Sequence, residues 1–561
     1  MSAMQKLSSS ASVTVVKSDK KLEQKFKDRR SAELVIALAG PIGCGIKTVA
    51  DALEERLKDR GYIDVVRIKL SEFLEEAIAE NLVPVLASDT QKSVRFTRYR
   101  RLQDAGKQLR KTTSNPAVLA EFAAKKISLD RLARDNDAQV HSNGPVVPSK
   151  VAYIIDQVKR PEEVALLRAL YRNLFYVAGV TRIYSKRETA LVAEGVRKNE
   201  VDELMEIDRM EGGADGQQLD KTLFLADYFI RNDSMAADDK QEKLNRFVSL
   251  IHGDQSVTPT ETESGMFSAY SASLRSACLS RQVGAAITAI AGEVIATGCN
   301  DVPKAGGGLY SHASGKADMR CIYQEGRQCF NDLHKRKLQT SIGLIVDRVL
   351  GEDHKQLGSD GLPVTLNQSK RDILLDAIYR ETPIKDLIEY SRSVHAEMDA
   401  IVSLARVGGA GLQGATLYTT TFPCHNCARH IVASGIMKVF YVEPYEKSLA
   451  KDLHEDAIAF EIEESKDTSP KRVEFLHFEG VAPRQFHNMF RAVGRKNDEG
   501  KFVPIRPQEA HKAMPEYLDG YQDFEVKAVQ HLEEELASLR GNQVKNSPST
   551  SPQLATIVFI P

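Results

Sequence analysis

The sequence predicts an α/β protein of two domains, a doubly wound parallel sheet followed by an α/β sandwich. Three observations carry this. From about residue 33 to 253, runs of buried-strand character alternate with amphipathic helices, the pattern of a parallel sheet covered on both faces. From about 264 to 480 the order changes to a close strand pair, then strands with helices interposed. At 561 residues the chain is also longer than one hydrophobic core usually serves.

Taken in order, residues 1–32 are Ser-rich and then Lys-rich without periodicity, and read as a flexible arm. Leu34 to Ala39 is an uninterrupted apolar run, as in a strand buried on both faces. It is followed by Gly40-Pro41-Ile42-Gly43-Cys44-Gly45-Ile46-Lys47-Thr48 and an amphipathic helix through Leu57. Strand, glycine-rich turn and helix is the P-loop layout, in which backbone N–H groups cradle phosphates. Gly40, Gly43, Gly45, Lys47 and Thr48 are therefore the candidate nucleotide- or anion-binding residues. The lysine stands one place later than in G-x-x-x-x-G-K-[ST], with Ile46 in its usual position, a displacement of about 100° around a helix. An anion cradle is compatible with that shift; phosphoryl transfer is not expected. Arg100 to Gly106 with Arg110 is similar to a helix lining the acceptor pocket of P-loop nucleotide kinases. Val151 to Asp156 reads as a second strand ending in an acid, Leu174 to Val180 as a third, and Ala226 to Ile230 with Asn232 as a late one. Arg182 to Arg209 is charge-rich and helical, either a lid or a solvated face. Residues 33–253 are thus expected to form a P-loop kinase-like domain, and polar residues 254–263 with Pro259 a linker.

The second domain is expected to open with a helix near Gly265 to Leu279, then a hairpin of Val283 to Ile290 and Glu293 to Thr297. Strands follow at Ala415 to Thr420, Lys438 to Val442 and Arg472 to Phe478. Between them lie His395-Ala-Glu397 and Pro423-Cys424-His-Asn-Cys427. H-x-E followed by P-C-x-x-C is the signature of zinc-dependent nucleobase deaminases. One imidazole and two thiolates neutralise the metal and leave a fourth position for water, as in a catalytic zinc site. Glu397, not a ligand, is the group that moves protons. The expected catalytic residue is Glu397, and the expected zinc ligands are His395, Cys424 and Cys427. The apolar spacing after each motif places both at helix starts, which favours thiolates there.

Arg281-Gln-Val-Gly-Ala, Ile295-Ala-Thr-Gly-Cys-Asn300, Val394-His-Ala-Glu397 and Gly414-Ala-Thr-Leu-Tyr-Thr with Pro423-Cys-His-Asn-Cys427-Ala-Arg-His-Ile resemble deoxycytidylate deaminases. With a kinase-like domain upstream, the whole resembles two-domain bacterial antiphage dCTP/dCMP deaminases, which remove deoxycytidine nucleotides during infection. The resemblance implies a cytidine-deaminase-type fold over 264–480 and depletion of the dCTP or dCMP pool as antiviral defence. It also implies that Asn300 bonds the sugar or ring, that Arg281 and Lys304 contact phosphate, and that a phage factor or, in one branch, a small RNA controls activity. The alternatives are a housekeeping dCMP deaminase of pyrimidine synthesis and a polynucleotide cytidine deaminase.

Between Asn300 and His395 lies an insertion that opens on the flexible Ala305 to Gly308. Cys321, Cys329 and His334 follow at spacings compatible with a second, structural zinc; the plainer reading is two buried thiols. Glu352 to Ser369 reads as a polar loop, 481–540 as a C-terminal helical extension, and 541–561 as a disordered tail whose apolar Ile557 to Ile560 suits docking on a partner. A net charge of −1 and the absence of Trp argue against a polynucleotide coat or a base-stacking groove. Seven Cys are not a disulfide framework, no run of 18 apolar residues occurs, and no signal-peptide core is present, so a cytoplasmic protein without membrane contact is expected. The other partner expected is a second copy of the chain in a homo-oligomer.

Overall fold

The structure is a computed structural model that describes residues 29–504 and 514–517, apart from 85–90, 140–148, 211–215, 235–236, 354–367, 383, 385–386, 388, 409–410, 444–447, 461–471 and 493. Nearly all of the expected arm, most of the Glu352–Ser369 loop, the tail and the extension beyond 517 lie outside the described residues.

Strands β1 (Leu34–Ala39), β2 (Asp64–Lys69), β3 (Val151–Asp156), β4 (Phe175–Thr181) and β5 (Tyr228–Arg231) run parallel in the order β5-β4-β1-β3-β2. Every residue of β1 is buried because it lies between β3 and β4 with helices on both faces. β2 was not legible in the sequence for the opposite reason. It is an edge strand, buried only at Val65 and Ile68, and its Asp64, Arg67 and Lys69 break the apolar run. The crossovers are α1 (Ile46–Asp59), α2 (Leu70–Ala79), α3 (Val94–Thr113), α4 (Val118–Gln139), α5 (Pro161–Tyr171), α6 (Tyr184–Ala193), α7 (Lys198–Met210) and α8 (Leu219–Phe224), with α9 (Ala237–Ile251) following β5. α1 buries Ile46, Val49, Ala50, Leu53 and Leu57, the stripe that a helical period predicts.

α10 (Glu261–Ser273) begins inside the stretch expected to be a linker. Thr260 caps it: the Glu263 amide donates to Thr260 Oγ1 at 3.1 Å and the Thr260 amide to Glu263 Oε2 at 2.8 Å, a capping box. The second sheet has the order β10-β11-β9-β8-β6-β7. β6 (Gly284–Thr288) and β7 (Val294–Cys299) form the expected hairpin, and β6 also runs antiparallel to β8 (Thr416–Thr421). β9 (Lys438–Glu443), β10 (Ile458–Phe460) and β11 (Val473–His477) complete the sheet in parallel. The helices are α11 (Phe330–Asp353) and α12 (Gln368–Glu381) in the insertion, then α13 (Ala396–Val407), α14 (His425–Ser434) and α15 (Ala450–Leu453).

The two sheets are not independent. After β11 the chain forms β12 (Gly480–Val481), which pairs antiparallel with β5 and so adds a strand to the first sheet, before α16 (Phe486–Phe490). Buried Glu263 fastens this exchange, accepting from the Val481 amide at 2.9 Å and pairing with Arg246 of α9. One apolar cluster runs through both halves, from Val35 and Ala37 of β1 and Phe229 of β5 to Met266, Tyr418 and Phe478.

His477 stands at this junction, its ring 5.3 Å from that of Tyr441 and 5.8 Å from that of Phe229. Burial pushes its pKa down to about 4. A neutral imidazole in the folded chain and a protonated one in the unfolded chain make stability complete above about pH 6.5, the ordinary His value, and falling as pH drops towards 4. Thermal melts of the parent are expected to lose up to about 1.4 kcal/mol of stability per pH unit through this group in that window. His477→Gln should show a shallower fall; identical acid legs would remove His477 as the cause.

Candidate active site

His395 is the N-cap of α13 and Cys424 the N-cap of α14, so two helix starts meet at one point. Both residues are extended, and each helix closes on a left-handed glycine, Gly408 or Gly435. Glu397 is the second residue of α13 and Cys427 the third of α14, within the first turn as the spacing predicted. α13 is set against β7 by Gly298: a Cβ there would stand 2.2 Å from the Ala396 carbonyl oxygen and 2.5 Å from the Ala400 nitrogen. Only glycine allows that approach, and it fixes the height of His395 and Glu397 above the sheet.

His395 Nδ1 lies 3.3 Å from Cys424 Sγ and 3.4 Å from Cys427 Sγ. All three donor atoms lie within 4.8 Å of one another, the one such set of three among the described residues. A tetrahedral zinc with bonds of about 2.1 Å to N and 2.3 Å to S sets its N and S donors roughly 3.5 Å apart, so the donor set fits such an ion. The Cys424 thiol is held below the ordinary thiol range by the thiol hydrogen bond from Cys427 and by His395. His395 is raised to about 9, chiefly by its hydrogen bond with Cys424. Glu397 is 4% exposed. Burial holds its carboxyl above the usual carboxylate range. Thr419 Oγ1 and Cys427 Sγ each lie 3.5 Å from one of its oxygens.

His395, Glu397 and Cys424 face a cavity of about 270 Å³ that is also lined by Asn300, Arg281 and Phe422. The structure gives the expected substrate residues different places. Asn300 commits its side chain to the backbone, accepting from the Val283 amide at 2.7 Å and donating to the Arg281 carbonyl at 2.9 Å. It shapes the cavity wall. Arg281 is at the mouth, 3.0 Å from Glu443, which also accepts from the Thr421 hydroxyl. Lys304 is exposed in a turn and does not line the cavity. Lys335 and Arg392, which sequence reasoning missed, do line it. Arg392 lies three residues before His395; Lys335 had no signal, being one cation among many on an insertion helix.

The residues expected to hold a second metal lie apart from the first set. Cys321 and Cys329 line the same cavity together with Cys278, but His334 stacks on Tyr390 at 5.4 Å, and the donors of Cys321, Cys329 and His334 do not converge within reach of one ion. Its place on α11 turns His334 towards Tyr390, which spacing in the sequence does not reveal.

In the first sheet, Gly40, Gly43 and Gly45 form the turn between β1 and α1, with Gly43 and Gly45 left-handed. Lys47 and Thr48 are exposed, and the Thr48 hydroxyl donates back to the Gly45 carbonyl at 2.9 Å. Among the described residues no helix is long and apolar enough to cross a membrane.

Comparison with known proteins places the site in a lineage. Residues 259–443 match the family described as the cytidine and deoxycytidylate deaminase zinc-binding region. The deoxycytidylate deaminase of Enterobacteria phage T4 is 31% identical over 180 residues, covering 32% of this chain and 76% of the phage protein. That of phage T2 is also 31% identical, over 78% of its length. Among solved structures, the dCMP deaminase of cyanophage S-TIM5 in complex with dCMP and dUMP aligns over 39% of this chain and 98% of its own, at 18% identity and a TM-score of 0.21. With relatedness at this level over three quarters of the phage T4 protein, the chain belongs to the deoxycytidylate deaminase family and is a hydrolase acting on C–N bonds.

Proposed function

We propose that the chain hydrolyses deoxycytidine nucleotides, dCMP or dCTP, to deoxyuridine nucleotides and ammonia, with zinc held by His395, Cys424 and Cys427. The observation that carries this reading is the convergence of those three donors beside a buried Glu397 at one cavity. The phage relatives, which are deoxycytidylate deaminases, support the substrate class. When bound, the metal supplies an acidified water, whose pKa falls towards about 7. The protein's own part is proton handling and placement. In balance, water adds to C4 and the exocyclic amine leaves as ammonia. Glu397 accepts both protons of the water in turn, passing the first to N3 as the C4–O bond forms and the second, taken from the resulting C4 hydroxyl, to the amine as the C4–N bond breaks. Phe422 and the Asn300-braced wall shape the space beside the ring, and Arg281, at the mouth, is the side chain to meet a 5′-phosphate.

The finer reading, that the enzyme depletes the dC nucleotide pool as antiphage defence under control of its first domain, rests on the resemblance of the whole chain, with its unit at 33–253 ahead of the deaminase motifs, to two-domain deaminases of that kind. A housekeeping dCMP deaminase is the competing role. The test is to incubate the purified chain with dCMP, dCTP, CMP, CTP and a cytosine-containing single strand and to resolve the products by chromatography. Deoxyuridine nucleotides are expected from the free deoxynucleotides. Deamination of the strand alone, or of none of these substrates, would overturn the reading.

A further inference from the structure

The glycine-rich turn is the one sequence motif that deamination leaves unused. It lies at the C-terminal end of β1, the central strand, where an open parallel sheet offers its crevice. A phosphate bound by such a turn draws on outward backbone N–H groups and a nearby cation. One such amide and one such cation are already taken. The Ile42 amide donates to Asp208 Oδ2 at 2.7 Å, and the other oxygen of that carboxylate pairs with the Lys159 ammonium just beyond β3. Asp208 is on α7, 166 positions along the chain, and is 1% exposed.

The helix pair α6 and α7, with the segment that leads into it, closes the carbonyl side as well. Arg187 Nε of α6 donates to the Ile42 carbonyl at 2.9 Å, and Arg182 Nη1 to the Gly43 carbonyl at 3.3 Å. A Cβ on Gly43 would stand 2.9 Å from the Arg187 carbonyl oxygen and 3.2 Å from Leu191, so α6 lies directly on the turn. The asparagine after β5, Asn232, donates to the Cys44 carbonyl at 2.8 Å. Ile46, where a P-loop carries its lysine, is buried in the core, and Lys47 is exposed.

We propose that Asp208 is a built-in substitute for a bound phosphate: its carboxylate fills the anion position of the Gly40–Gly45 turn and latches the α6–α7 pair over the crevice, so the turn takes no phosphoryl ligand while the pair is docked. Breaking a buried pair by removing one partner leaves the other charge uncompensated, and such a change is strongly destabilising at that point. Lys159 and the Ile42 amide would then be left facing an empty anion position.

The experiment uses the full chain, inorganic pyrophosphate as the probe, calorimetry for binding, and amide hydrogen exchange for the helix pair. The parent is expected to give no saturable heat with millimolar pyrophosphate and slow exchange in residues 184–209. Asp208→Ala should raise exchange there by about tenfold or more, an opening of the docked pair, and should acquire saturable pyrophosphate binding. Adding Lys159→Met should abolish that binding. Asp208→Asn, which keeps an acceptor for the Ile42 amide and removes the charge, should fall between parent and Asp208→Ala in exchange, and it serves if the alanine variant does not fold. Pyrophosphate binding by the parent as tight as by Asp208→Ala would show an open site and overturn the proposal. Exchange in the variants equal to that of the parent, or no binding by either variant, would overturn it too.

Discussion

Glu397→Ala is expected to abolish deamination while leaving the metal content unchanged. Glu397 is not one of the three converging donors, so its loss leaves the His395, Cys424 and Cys427 set intact. What disappears is the group that moves protons between water, N3 and the amine, a contribution of roughly 10²- to 10⁴-fold or more. A nearby solvent molecule is a poor substitute, because Glu397 is almost fully enclosed. Glu397→Gln separates the roles further, since it keeps the volume and a hydrogen-bonding oxygen but cannot accept a proton. Both variants should bind metal at the parent stoichiometry by elemental analysis and show turnover at least a hundredfold below the parent. Turnover near the parent value in Glu397→Gln would remove the carboxylate from the chemistry.

Cys424→Ala and Cys427→Ala should fail differently, losing metal and activity together. A borderline-soft ion held by one imidazole and two thiolates loses half of its soft donors with either change. Because metal affinity is linked to folding, stability should fall as well. Cys427 carries the larger structural cost, being 1% exposed within the cluster of Ala396, Ala400, Ala428 and Ile431. The parent's melting temperature should drop on treatment with a chelator, and that of Cys427→Ala should not respond. Zinc content equal to that of the parent in either cysteine variant would overturn the ligand assignment.

The contrast between these variants follows from how the site is encoded. Its four residues lie in two short motifs, and helical periodicity after each motif is enough to put them at helix starts. The sequence alone therefore determined which side chains form the centre, and it determined most strands, because strands buried on both faces must be continuously apolar. Three of the four edge strands escaped it: β2 and β10 are short or half-solvated, and β12 is two residues long and belongs to a sheet whose nearest strand in sequence precedes it by some 250 positions.

Only the tertiary structure decided the rest. Asn300 and Asp208 show why. Each is a polar residue beside a recognisable motif or within a charge-rich helix, and local sequence permits either a ligand contact or an internal one. In the fold Asn300 bonds the backbone of residues 281–283 while also lining the cavity, and Asp208 accepts from the amide of Ile42. Cys321, Cys329 and His334 had spacing compatible with a metal, yet the packing of α11 turns the histidine towards Tyr390. Periodicity fixes which face of an element is buried, whereas the partner that a buried polar group meets depends on elements distant in sequence. Hydrogen bonds across 17 to 218 positions carry no local signal, and so the convergence of His395, Cys424 and Cys427 was legible from the chain while the closure of the glycine turn and the strand shared between the sheets were not.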